Sequence, residues 1–206
     1  MIFVFDLGGV LSDIDVQGFL ERLQRLMPEG RRTKLNADEL LAGGGDSFLH
    51  DYELGYLSTE EVIHRFHLFC RPEVTDEQIR QIWLSELKPI PENRKALLRQ
   101  LRANGHTVCL LSNTNDMHWQ YIEPMFRYDS YTLKDHFDHV FLSFRLHLYK
   151  PEKPIFEEVN KTIDDNRYVI YIDDAERNRM AGQAMGWATF ASIREWADYE
   201  KFNLFT

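Results

Sequence analysis

Five short apolar runs, each stopped by a polar or glycine-rich turn, limit what this chain can fold into more than any other feature. Ile2-Phe3-Val4-Phe5 ends at Asp6 and the Gly8-Gly9 pair, and Thr107–Leu111, Val140–Ser143, Tyr168–Ile172 and the weaker Trp187–Phe190 repeat the pattern. Runs this short that are apolar throughout read as strands buried on both faces. Helical stretches lead into or separate the later ones. Pro91 in a first-turn position, Leu97, Leu98 and Leu101 on one face, and Gly105 past the end mark the first, followed by Trp119–Phe126, Pro154–Ile163 and Glu176–Gly186. Strands alternating with helices require crossover connections. The expected fold is therefore α/β, a Rossmann-like and mostly parallel sheet with helices on both faces.

One gap breaks the alternation, because residues 7–106 contain no convincing strand. Asp15 can cap a helix running to about Met27, and Asn36–Ala42 and Ser47–Leu54 are shorter candidates around Gly43-Gly44-Gly45. Ser58 with Glu61 forms a capping box ahead of Val62, Ile63, Phe66 and Phe69, and Thr75 with Gln78 opens a helix that turns Ile79, Ile82 and Trp83 inward. These signals predict a small helical cap inserted at 14–88 between core segments 1–13 and 89–206. A chain of 206 residues, 44% of them hydrophobic, has enough material for both.

Lys and Arg number 24 against 33 Asp and Glu, a net charge of −9 that repels nucleic-acid backbones and anionic lipid. No nucleic-acid or membrane partner is expected, and oligomeric state is not legible. An anionic substrate would need local positive charge or a bound cation to approach. Cys70 and Cys109 lie far apart without a CxxC spacing, and the start of the chain has no Lys/Arg leader, so the expected compartment is the cytoplasm.

In parallel α/β sheets ligands bind beyond the carboxyl ends of the strands. Those positions hold Asp6-Leu7-Gly8-Gly9-Val10, then Ser112-Asn113, then a loop reaching Lys150-Pro151, then Asp173-Asp174. Three carboxylates meeting at one mouth stay ionised together only around a cation, and their hard oxygen donors favour Mg²⁺. The pairs His64/His67 and His136/His139 have spacings that invite zinc but lack an obvious third ligand. His50, Tyr52 and Glu53, ahead of Gly55, lie in a helical segment that could face the mouth.

The four motifs Phe-Asp-Leu-Gly-Gly-Val-Leu at 5–11, Leu-Leu-Ser-Asn-Thr-Asn at 110–115, Tyr-Lys-Pro-Glu-Lys-Pro-Ile-Phe at 149–156 and Ile-Asp-Asp-Ala-Glu-Arg-Asn at 172–178 resemble, in that order, those of the haloacid dehalogenase-like hydrolase superfamily. The wording is most similar to the branch of small capped phosphatases that includes bacterial α-glucose-1-phosphatase. The resemblance implies a Mg²⁺-dependent phosphomonoesterase acting on a small soluble phosphate, a sugar phosphate among the candidates, through an aspartyl-phosphate. Asp6 would be the nucleophile. Asp6, the Gly8 carbonyl and Asp174 would hold Mg²⁺, with Asp173 reaching it through water. Ser112 and the Asn113 N–H would grip the phosphate, Lys150 would neutralise charge, and Asn178 would orient the acidic pair. Gly8 stands where the family's phosphatases carry the Asp that protonates the leaving group, help worth on the order of 10²–10⁴ in rate. Asp13 or Asp15 is the expected substitute. The alternatives are carbon–halogen hydrolysis by the same nucleophile, as in 2-haloacid dehalogenases, and a non-catalytic module that binds phosphate without turnover.

Overall fold

The structure, a computed structural model, describes residues 1–30, 48–127, 130–163 and 168–203. Five strands, β1 (Ile2–Phe5), β2 (Thr107–Ser112), β3 (His139–Leu142), β4 (Val169–Ile172) and β5 (Ala188–Phe190), form one sheet in the order β3-β2-β1-β4-β5. Every pairing is parallel. All five lie where the apolar runs predict them, with ends moved by a residue. Alternation along β1 and β2 sends Phe3, Phe5, Val108 and Leu110 into one core with Trp119 and Phe126. Ile2, Val4, Cys109 and Leu111 enter the opposite core with Phe156, Val159 and Trp187. Burying each such side chain contributes about 1.5–3 kcal/mol. That term holds the central strands, and hence their carboxyl ends, in register.

The first connection is helical, as expected. Among the described residues it contains α1 (Val16–Leu26), α2 (Phe48–Glu53), α3 (Thr59–His67) and α4 (Asp76–Leu84), whose buried residues make a core of their own around Phe19, Tyr52, Phe66 and Trp83. The caps are those the sequence predicts. Asp15 accepts from Gly18 N, and both capping boxes, Ser58/Glu61 and Thr75/Gln78, are closed in each direction. Phe69 departs from the prediction: α3 ends at His67, the helical period lapses with it, and Phe69 is 42% exposed. The predicted helix Asn36–Ala42 lies outside the described residues.

The chain enters and leaves this helical part side by side. Asp15 N donates to Glu86 O at 2.8 Å and Lys88 N to Asp13 O at 2.9 Å, flanking an antiparallel bridge between Ile14 and Leu87. The remaining elements are α5 (Glu92–Ala103), α6 (Asp116–Ile122) continued by a 3-10 turn (Glu123–Phe126), α7 (Leu133–His136), α8 (Ser143–Leu146), α9 (Lys153–Thr162), α10 (Glu176–Ala184) and α11 (Ile193–Asn203). Pro91 is the N-cap of α5 rather than its first residue, and Gly105 follows the helix at φ 79°. No helix among the described residues is long and apolar enough to cross a membrane.

Candidate active site

Because β1, β2 and β4 are adjacent and parallel, the residues following them emerge together. Asp6 is buried at the end of β1 and takes a hydrogen bond from its neighbour Leu7 N at 2.7 Å. Beyond β4, Asp173 is fully buried and Asp174 exposed, and oxygens of Asp6, Asp173 and Asp174 lie within 4.8 Å of one another. It is the one His/Cys/Asp/Glu group among the described residues compact enough to hold a metal. The histidine pairs do not form such a group: His67 bonds Asp76 at 2.6 Å, and His136 lies between Arg99 and the Thr132 carbonyl.

Lys150, 1% exposed, reaches this cluster from the loop before α9. Its ammonium donates to Asp173 at 2.7 Å and to Leu111 O at 2.9 Å, and pairs with Asp6 at 3.0 Å. One cation serves two carboxylates, and Asp174 has no ion pair among the described residues. The imbalance is visible in the acidities. Burial, opposed by Lys150 and reinforced by the Asp173 charge, pushes Asp6 up to about 7. Burial and then Asp173 also raise Asp174. Burial raises Asp173 too, but Lys150 and the surrounding donors outweigh it and hold that carboxyl below its ordinary range.

Asp173 has donors on every side: Lys150, the Tyr171 hydroxyl, Ala175 N at 2.9 Å and Asn178 Nδ2 at 3.1 Å from each oxygen. Asn178 thus orients Asp173 rather than the acidic pair, since the turn into α10 aims its side chain back at the buried member. Ser112, also buried, closes β2 and donates to Asn113 O at 3.3 Å. The Asn113 side chain clamps the Lys150 backbone in both directions, Nδ2 to Lys150 O and Lys150 N to Oδ1, each 2.9 Å.

The turn after β1 is tied by Leu11 N and Ser12 N, both donating to Leu7 O at 2.8 Å. Gly8 lies in that turn with room around it, an added Cβ coming no nearer than 3.4 Å to Ile14. The close approach belongs to Gly9, at φ 73°, where a Cβ would lie 2.3 Å from Asp174 Oδ2.

The two carboxylates expected to replace the missing acid are engaged elsewhere. Asp13 is exposed and pairs with Arg94 at 2.8 Å. Asp15 caps α1 and accepts from Lys88 at 3.0 Å and Arg22 at 3.1 Å. Those bonds hold Asp15 down at about 2, so it carries no proton to donate near neutrality.

A family model described as haloacid dehalogenase-like hydrolase matches residues 1–186. The chain belongs to this family. The D-ribitol-5-phosphate phosphatase of Bacteroides thetaiotaomicron is 31% identical over 193 residues, 91% of this chain and 89% of that protein. The structure of the HAD family enzyme BT-2542 from the same organism, in complex with magnesium and inorganic phosphate, aligns at TM-score 0.77 and 30% identity over 91% of each chain. A predicted HAD-like family hydrolase of Porphyromonas gingivalis aligns at TM-score 0.77 and 27% identity over 93% of this chain and 91% of that one. At 18% identity and TM-score 0.59, an L-2-haloacid dehalogenase shares the fold alone.

In this haloacid dehalogenase-like hydrolase, three supports of the acidic site escaped the sequence reading. Tyr171 bonds Asp173 from within β4, Arg179 Nη1 braces the acidic loop through the carbonyls of Asp173 at 2.8 Å and Asp174 at 2.6 Å, and the Asn113 amide holds Lys150. Their only sequence signal is proximity to the motifs.

Proposed function

We propose that this hydrolase is a Mg²⁺-dependent phosphomonoesterase that works through an aspartyl-phosphate on Asp6. The supporting observation is the convergence of Asp6, Asp173 and Asp174 around a space with one shared ammonium. The donor set fits a hard divalent cation: Asp6, the Gly8 carbonyl and Asp174 would hold it, and Asp173, saturated by protein donors, would reach it through water. When bound, Mg²⁺ polarises the phosphoryl oxygens and offsets the repulsion between nucleophile and ester.

Asp6 attacks phosphorus and the bond to the leaving oxygen breaks, the alkoxide taking its proton from water; a second water then attacks the acyl phosphate, releasing phosphate and regenerating Asp6. Ser112 Oγ and Asn113 N–H hold phosphate oxygens, and Lys150 offsets the charge gathering on them. Asn178 keeps Asp173 oriented. Residues 14–88 act as a cap that opens for exchange and closes to exclude water.

The substrate is a small soluble phosphate, and the D-ribitol-5-phosphate phosphatase relative supports a sugar or polyol phosphate. The α-glucose-1-phosphatase likeness rests on motif wording alone. Cys70 and Cys109, both buried and in separate cores, support a cytoplasmic setting.

The test is hydrolysis of p-nitrophenyl phosphate and of a panel of polyol and sugar phosphates with Mg²⁺. EDTA should abolish turnover. Activity that survives chelation while releasing halide from 2-haloacids would reverse the assignment, and no turnover despite a rise in Tm with phosphate would mark a binding module.

A further inference from the structure

Five consecutive residues at the end of α2 touch the core. The Tyr52 hydroxyl accepts from Met117 N at 3.0 Å, at the start of α6, and Glu53 accepts from the Tyr149 hydroxyl at 2.7 Å. Leu54 O accepts from His147 Nδ1 at 2.7 Å. Gly55, at φ 74°, lies so close to the Phe144 carbonyl that a Cβ would come within 2.1 Å of its oxygen, and the Tyr56 ring stacks on His147 with centroids 5.3 Å apart and planes 5° from parallel. Four of these five contacts fall on residues 144–149, the stretch that leads from α8 to Lys150.

His147 is the unusual member of that stretch. Its backbone stands at φ 55° and ψ 34°, and no other non-glycine residue among the described residues has a positive φ. An L side chain crowds the backbone in this region, so the conformation needs support from outside the loop. The support comes from the helical part: Leu54 O fixes one ring nitrogen and Tyr56 covers a face of the ring. His147 and Tyr56 are both exposed, so burial does not hold them in place. Three residues on, the Lys150 ammonium meets Asp173, Leu111 O and Asp6 at 2.7–3.0 Å, and Asn113 clamps the Lys150 backbone. A side chain fixed at its tip passes a shift of its backbone on to all three contacts.

We propose that His147 is a positioning residue for Lys150. Docked against Leu54 and Tyr56, it is held in the left-handed conformation from which the loop carries the ammonium to Asp6 and Asp173. When the cap lifts, that support goes and the loop loosens. Closing the cap and readying the lysine thereby become one event. The proposal rests on the phosphatase reading and adds to it a residue outside the four motifs.

Kinetics on p-nitrophenyl phosphate with saturating Mg²⁺ separate conformation from side chain. His147→Ala loses both contacts and disfavours the left-handed backbone, so kcat should fall about tenfold with KM little changed. His147→Gly loses the same contacts but takes that backbone freely, so kcat should return to within about threefold of the wild type. Tyr56→Ala should lower kcat about threefold on its own and change nothing in the His147→Gly background. A second readout is independent of turnover: amide hydrogen exchange across residues 147–152 should quicken about two- to tenfold in Tyr56→Ala. Melting curves confirm that these surface variants fold. Equal losses in the alanine and glycine variants, no loss in His147→Ala, or unchanged exchange in Tyr56→Ala overturns the role of His147 while leaving the phosphatase intact. A wild type inert towards the aryl phosphate overturns the phosphatase reading and this role with it.

Discussion

Lys150→Met asks whether one buried ammonium holds the acidic site together. The wild-type Nζ uses three acceptors, Leu111 O at 2.9 Å, Asp173 at 2.7 Å and Asp6 at 3.0 Å. Methionine keeps a stem of similar length and deletes the charge and all three donors. Asp173 retains Tyr171, Ala175 N and Asn178, and Asp6 retains Leu7 N, but the two carboxylates then share a buried space with no cation. Removing one partner of a buried ion pair destabilises by about 3–5 kcal/mol. In a domain of this size each kcal/mol moves Tm by about 2–4 °C, so a fall of about 6–20 °C is expected in EDTA.

The pH dependence has a definite sign. A carboxyl raised above its unfolded value, as Asp6 already is at about 7, lends stability at low pH that is lost as pH rises through the folded value. The deficit of Lys150→Met should therefore be larger at pH 8 than at pH 5.5. Mg²⁺ should recover part of the Tm by supplying the missing positive charge, while turnover stays down by about 10²–10³. Scanning calorimetry in EDTA and in Mg²⁺ at the two pH values makes the measurement. A fall of less than about 3 °C in EDTA at pH 8 would refute the reasoning, as would a deficit that grows towards acid.

Asp6→Asn should eliminate turnover without lowering Tm, because asparagine keeps an acceptor for Leu7 N and removes the like charge facing Asp173; a variant with near-normal rate would remove the covalent mechanism. Gly9→Ala should raise the Mg²⁺ concentration for half-maximal activity about 10–100-fold by displacing Asp174, while Gly8→Ala, with a clear 3.4 Å to Ile14, should alter it little. Neutral His118 favours the folded state: its contribution is complete above pH 6.5 and is lost as pH falls towards 4, a gap worth at most about 3 kcal/mol. Glu86, raised to about 7, has the opposite slope, so urea melts belong in a Glu86→Gln background, where adding His118→Gln should flatten the profile between pH 7 and 4.5. An unchanged profile contradicts the buried neutral imidazole.

Strand positions, helix caps and the order of the catalytic motifs were legible because each depends on short-range causes. An apolar run buried on both faces is a strand wherever it sits, and Ser58 and Thr75 find their partners three residues on, whatever lies elsewhere in the chain. Strand order was not read from the sequence, and only the fold shows β1, β2 and β4 side by side; that the residues after them share one edge followed from parallel strands alone. Phe69 marks the limit of this logic, because periodicity does not say where a helix stops.

Tertiary structure alone decided how the polar side chains are shared out. Asp13 and Asp15 stand a few residues from Asp6 in sequence, yet Arg94, Arg22 and Lys88 occupy them. Glu53 is separated from Tyr149 by nearly half the chain, yet their side chains meet. Gly8 and Gly9 look alike as letters, and only the fold, which holds Gly9 at φ 73° with Asp174 against it, makes one replaceable and the other not. A carboxylate's chemistry depends on its desolvation and on the charges within a few ångströms, and those neighbours arrive from elements distant in sequence once the chain has closed on itself.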